Sequence, residues 1–74
     1  MKKQAKPKPA PDWMPAARTN GEGVRQTFLR IIAREMGCNF EEAGQRFLDA
    51  VMAGQIIETG VTGLTGSVTK YRAI

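Results

Sequence analysis

Apolar side chains recur at helical spacing between residues 24 and 36. The stripe follows an i, i+4, i+7, i+8 pattern and comprises Val24, Phe28, Ile31 and Ile32, with Met36 extending it. Glycine follows at position 37, and glycine readily takes the left-handed conformation that ends a helix. The opposite side of the helix carries Gln26, Arg30 and Arg34. The pattern therefore predicts an amphipathic helix with a basic outer face.

A second amphipathic helix is predicted between Asn39 and Gly54. Asn39 is a favourable N-cap residue and Glu42 stands three positions later, which is a variant of the capping box. The predicted apolar face contains Gly44 within its stripe and consists of Phe40, Ala43, Phe47, Leu48 and Val51, with Met52 at the edge. Only about three residues, Gly-Cys-Asn, connect the two helices. So short a turn makes them neighbours at a sharp angle, as in a helix-turn-helix unit.

Two strands are predicted after the second helix, at residues 55–59 and 68–74, because β-branched and aromatic residues dominate both. Residues 59–67 contain three copies of Thr-Gly-x and predict a flexible hairpin loop with Leu64 near its tip. In the second strand, alternation places Lys70 and Arg72 on one face and Tyr71 on the other. We expect the core to form where Phe28, Ile32, Phe47, Leu48 and Tyr71 meet.

The first residues of the chain differ in composition from the rest. Residues 1–11 read MKKQAKPKPAP, with four lysines and no acidic residue. Lysine alternating with proline predicts a disordered, extended arm, which is either a solubility tail or a basic segment that lies along phosphates. Residues 12–74 are the predicted domain. Within it Trp13 is expected to act as an anchor, and Pro15 is expected to limit residues 12–17 to a short turn.

Composition excludes several classes of protein. The net charge of +4 equals the charge of the four N-terminal lysines, so the remaining seven basic and seven acidic residues balance. The absence of histidine and the single Cys38 leave no catalytic triad, no disulfide and no zinc cluster. No nucleotide-binding motif is present either. We therefore expect no enzyme activity, no catalytic or metal-binding residue and no cofactor. No apolar run approaches ~18 residues, which indicates a cytoplasmic protein that does not span a membrane.

The helix, three-residue turn, helix and hairpin resemble a winged helix-turn-helix DNA-binding domain over residues 24–74. The resemblance is carried by IAREMGC-NFEEAGQRFLDAVMAGQIIETG and VTKYRAI, above all by the apolar-Gly-x-Ile-Ile sequence that leaves the second helix. It implies an α+β, winged-helix-like fold, with a two-helix helix-turn-helix followed by a C-terminal β-hairpin wing. It also implies that the second helix enters the major groove. Such domains normally have a further helix before the helix-turn-helix, for which only residues 12–17 are available.

Two functions are compatible with the sequence. The first is a small nucleic-acid-binding protein, a transcriptional regulator that contacts DNA through the helix-turn-helix, the wing and the arm. Gln45 and Arg46 are its expected base readers, because base contacts carry sequence information. The full set of expected contacts is Lys2, Lys3, Lys6, Lys8, Arg30, Arg34, Gln45, Arg46, Lys70 and Arg72.

The second function is a protein-interaction module that binds and modulates an enzyme or host factor. The exposed face of the second helix carries Glu41, Glu42 and Asp49, which would repel phosphates and suit a protein partner better. Leu64 at the tip of the Thr-Gly loop would be an anchor. Cations that share one face favour DNA, whereas scattered cations favour a protein partner. A homodimer is also open, since two helices and a hairpin form a thin core.

Overall fold

A computed structural model describes residues 11–74 of the chain. The described residues form an α+β fold with three helices and one three-stranded antiparallel sheet. In chain order the elements are α1 (Met14–Asn20), β1 (Gly23–Val24), α2 (Arg25–Met36), α3 (Phe40–Met52), β2 (Ile56–Thr62) and β3 (Val68–Ala73). The arm predicted at residues 1–11 lies outside the described residues except for Pro11.

A helix, α1, precedes the helix-turn-helix where the sequence predicted only a short turn. Pro15 stands in the first positions of α1, where its missing N–H costs no hydrogen bond and its fixed φ suits the helix. The expectation that Pro15 limits residues 12–17 to a turn was therefore wrong. Arg18 on α1 donates from Nε to the carbonyl oxygen of Ile74 at 2.8 Å, which ties the helix to the C-terminal residue.

A third strand, β1, lies between α1 and α2, and the prediction of a lone C-terminal hairpin missed it. Gly23 pairs with Tyr71 and Val24 with Lys70, so β3 is the central strand in the order β1-β3-β2. Val24 thus belongs to strand β1 and not to α2, to which the sequence pattern assigned it. Strand β2 extends to Thr62, beyond the predicted end at residue 59, because its pairing with β3 continues through an irregularity between Glu58 and Gly60.

The turn between α2 and α3 has the predicted chemistry. Gly37 ends α2 with a positive φ of 64°, a conformation that glycine adopts without a Cβ clash. Asn39 begins α3, and its side-chain oxygen accepts a hydrogen bond from the backbone N–H of Glu42 at 2.8 Å. The left-handed conformation of Gly37 and the cap by Asn39 together set the direction of α3 relative to α2.

The core joins all three helices to the sheet. The largest fully buried side chains are Trp13, Phe28, Met14, Ile32 and Ile56. Phe47 lies between Phe28 and Tyr71, with ring centroids 5.8 Å and 5.0 Å away, and Tyr71 meets it edge-on. The anchoring of Trp13 and the meeting of these rings confirm the sequence prediction.

The apolar face of α3 is narrower than its sequence suggested. Only Ala43, Phe47 and Ala50 are buried, whereas Leu48 is 49% exposed and was wrongly assigned to the core. Phe40 and Met52 are exposed as well. The buried stripe of α3 runs through Ala43, Phe47 and Ala50. Leu48 lies about a quarter turn away from Phe47, so it points outside the contact with α2 and β3.

Candidate nucleic-acid interface

The outer surface of α3 holds both predicted base readers, and each has an acidic partner one turn away. The Nη2 of Arg46 donates to Glu42 at 2.9 Å, and Gln45 Nε2 donates to Asp49 at 3.2 Å. The hydrogen bond from Arg46 to Glu42 is the main reason that the pKa of Arg46 is raised. The structure therefore brings Gln45 to the solvent face of α3 and leaves Arg46 half-buried, with its Nε out of solvent, and both side chains contact carboxylates of the same helix.

The other predicted cations are distributed over different surfaces. Arg30 and Arg34 are exposed on α2, and Arg34 contacts the adjacent Glu35 at 3.4 Å. The predicted contacts Lys2, Lys3, Lys6 and Lys8 lie outside the described residues.

Lys70 and Arg72 lie on the sheet face directed away from α3. Tyr71 packs against Phe47 of α3, and neighbouring side chains of a strand point to opposite faces. The Nζ of Lys70 is 3.2 Å from Oε1 of Glu22, whose other oxygen accepts a hydrogen bond from the hydroxyl of Thr59. The contacts with Thr59 and then Lys70 lower the pKa of Glu22. Glu22 thus links the segment before β1 to both strands of the hairpin. Lys70 is one of its two partners, so its ammonium group is already engaged within the protein.

One cation that the sequence did not single out, Arg25, occupies the junction of α2, α3 and the hairpin. A Cβ atom added at Gly44 of α3 would stand 3.0 Å from Nη2 of Arg25. Arg25 also lines a cleft of about 340 Å³, whose other lining residues are Val24, Gln26, Ser67, Val68, Thr69 and Tyr71. Arg25 is exposed and forms no ion pair within residues 11–74.

The sequence analysis did not include Arg25 among the expected nucleic-acid contacts because of its position in the helical pattern. At 100° per residue it falls between Phe28 and Leu29, on the apolar side of α2. Only its place at the first position of the helix lets its side chain reach solvent. A single charged residue on an otherwise apolar stripe is the signal that could have revealed it.

A second cavity lies at the C-terminal end of α3. It has a volume of about 270 Å³ and is lined by Pro11, Trp13, Arg46, Asp49, Ala50, Ala53 and Gln55. Pro11 is fixed there, because its carbonyl oxygen accepts a hydrogen bond from the N–H of Met14 at 3.0 Å. The first described residue therefore stands next to Asp49.

Within residues 11–74 no three histidine, cysteine, aspartate or glutamate side chains are grouped so that they could hold a metal ion. None of the helices in this part of the chain is long and apolar enough to cross a membrane. In comparisons with protein-family models, with curated proteins and with solved structures, nothing matched the chain.

Proposed function

We propose that this protein binds DNA as a small transcriptional regulator through a winged-helix-like domain. The observation that supports this proposal is the order α1-β1-α2-α3-β2-β3 with β3 in the centre of the sheet. This arrangement leaves the outer side of α3 in solvent beside a hairpin whose residues 57–68 are all exposed. A helix that follows a three-residue turn and has such a free face suits insertion into the major groove.

Arg25 is the described cation best placed to contact a DNA phosphate on this surface. A guanidinium is well matched to phosphate oxygens, and the hydroxyl-bearing residues Ser67 and Thr69 line the same cleft. Lys70, in contrast, is paired with Glu22 on the opposite face of the sheet. We therefore assign to Arg25 the contact with the DNA phosphate backbone that the sequence alone assigned to Lys70 and Arg72.

The base readers of α3 can exchange partners at small cost. Gln45 and Arg46 are held by contacts that solvent screens, so the cost of breaking these contacts is small. Hydrogen bonds to base edges are worth about 1–3 kcal/mol of discrimination. Binding to DNA would therefore release Asp49 and Glu42 from their present partners, and the freed carboxylates would have to face away from the phosphates.

Fluorescence anisotropy with a labelled random-sequence duplex at about 50 and about 200 mM salt tests this function. Arg25→Gln should weaken binding to all sequences and reduce the salt slope by about 1. Arg72→Gln removes the same charge from the other face of the sheet and is the matched control, expected to change affinity less than twofold. Deletion of residues 1–10, which contain all four N-terminal lysines but leave Pro11 in place, should flatten the slope by up to about 3.6 while barely changing Tm. Absence of binding by the full chain at the lower salt would contradict the proposal.

A protein-binding function is the second candidate, favoured by the distribution of the described cations over different surfaces and by the apolar side chains on the surface of α3. Leu48 and Met52 stand one turn apart and are 49% and 78% exposed, and Leu64 is fully exposed at the hairpin tip. Exposed apolar side chains flanked by acidic residues suit a protein partner. Reversal of Glu41 and Glu42 to lysine separates the two candidates. Tighter DNA binding together with loss of the biological effect would support the partner-binding function and contradict the regulator.

A further inference from the structure

We propose that residues 1–10 dock on the outer face of α3 in the free protein and compete there with nucleic acid. The docking surface is defined by Glu41, Glu42 and Asp49 and by the cavity at the C-terminal end of α3. The competition rests on the proposed function, whereas the docking itself does not.

The point at which the segment enters the domain supports this occupant. Pro11 lines the cavity beside Asp49 and Ala53, and its carbonyl oxygen is held by the N–H of Met14. The described part of the chain therefore begins at the C-terminal end of α3, next to Asp49 of the docking surface.

The segment is long enough to cover this face. A helix rises 1.5 Å per residue, so Glu42 lies about 10 Å from Asp49 along α3. Lys8 and Lys6 precede Pro11 by three and five residues, which corresponds to about 9 and about 15 Å of extended chain at ~3.1 Å per residue. Both lysines can thus reach the acidic side chains without any rearrangement of the described residues.

The charges of the two surfaces are complementary. The outer face of α3 carries three acidic residues against the single Arg46, and the last turn of the helix contains no basic residue. The segment carries four lysines and no acidic residue. Each exposed ion pair is weak, but the tether gives the lysines a millimolar effective concentration at the helix. The same lysines are then withheld from phosphates until DNA displaces them.

Backbone amide chemical shifts in the absence of DNA test the docking. The full chain is compared with a variant in which all four lysines of residues 1–10 are replaced by glutamine, at low and at high salt. We expect the amides of Gln45, Asp49 and Ala53 to differ between the two proteins at low salt and to converge at high salt. Identical spectra at low salt would overturn the proposal. A difference that grows with protein concentration would also overturn it, because the segment would then bind a second copy.

Substitution of the acidic residues supplies the control. Glu42→Gln combined with Asp49→Asn should abolish the shift difference, whereas Glu35→Gln on α2 should leave it unchanged. A difference that survives the first pair of substitutions would contradict docking on α3.

Competition is tested by DNA affinity in a double-mutant cycle. Glu42→Gln with Asp49→Asn should tighten binding about threefold more in the full chain than in the lysine-free variant, if the segment is docked about two-thirds of the time. Equal tightening in both backgrounds would show that the acids only repel phosphate, and competition would be refuted. Because the shift experiment contains no DNA, failure of the DNA-binding function is distinguishable from failure of the docking.

Discussion

The guanidinium of Arg25, at the start of α2, lies over Gly44 in the middle of α3. A Cβ atom at Gly44 would stand 3.0 Å from Nη2 of Arg25 and 4.0 Å from Cδ2 of Leu29. The glycine therefore leaves room for a charged side chain between the two helices. This explains a residue that otherwise weakens a helix interior.

Gly44→Ala is expected to stabilise the domain and to displace Arg25. Replacing a helical glycine by alanine contributes up to about 1 kcal/mol, and the crowded atom is the end of a flexible side chain that can turn away. Urea denaturation should therefore show a higher free energy of unfolding, and DNA affinity should fall to the extent expected for Arg25→Gln. A lower stability would mean that Arg25 cannot leave its position.

Phe47→Ala is expected to unfold the domain or nearly so. Phe47 contacts both Phe28 and Tyr71 and is buried, so its truncation should cost about 3–5 kcal/mol. Leu48→Ala is the adjacent control and should change stability by less than about 0.5 kcal/mol, because Leu48 is half exposed. Thermal unfolding followed by circular dichroism measures both. Equal effects of the two substitutions would contradict the packing described for α3.

Glu22 should make the stability of the domain depend on acidic pH. Its contacts with Thr59 and Lys70 lower its pKa in the folded protein. The stabilisation is therefore fully present above the unfolded pKa of about 4.3 and is lost as the pH falls through the lower folded pKa. Glu22→Gln should reduce Tm at neutral pH and bring it closer to that of the unsubstituted protein at about pH 3. A Tm difference that stays constant over this range would refute the role of the carboxylate.

Arg46→Ala should relax the sequence preference of DNA binding by about 1–3 kcal/mol, because base contacts specify the site. Glu42→Ala breaks the same ion pair but keeps the guanidinium, so it is the matched control and should retain the preference. Binding-site selection from a random library, followed by affinity measurements on the selected duplexes, distinguishes the two. Unchanged preference in Arg46→Ala would show that Arg46 does not read bases. Lys70→Ala, whose side chain lies on the opposite face, should leave the preference unchanged.

Local patterns in the sequence were sufficient to predict α2, α3 and the turn between them. Their apolar stripes have the helical period, Gly37 supplies the left-handed conformation, and Asn39 caps α3 through a bond to a residue three positions away. These signals act over a few residues, so they can be read without knowledge of the fold. The two strands of the hairpin were predictable for the same reason.

Contacts between distant parts of the chain decided the rest. Strand β1 is two residues long and exists only through its pairing with β3, and Leu48 is exposed because packing selected a narrower face of α3. Lys70 carries the same charge as Arg25, yet it is paired with Glu22 on one face while Arg25 reaches the junction of α2, α3 and the hairpin. The sequence by itself determined which segments form helices and strands, because hydrogen bonding and side-chain period are local. Only the tertiary structure decided which cations remain available to a ligand, because their partners come from elements far away along the chain.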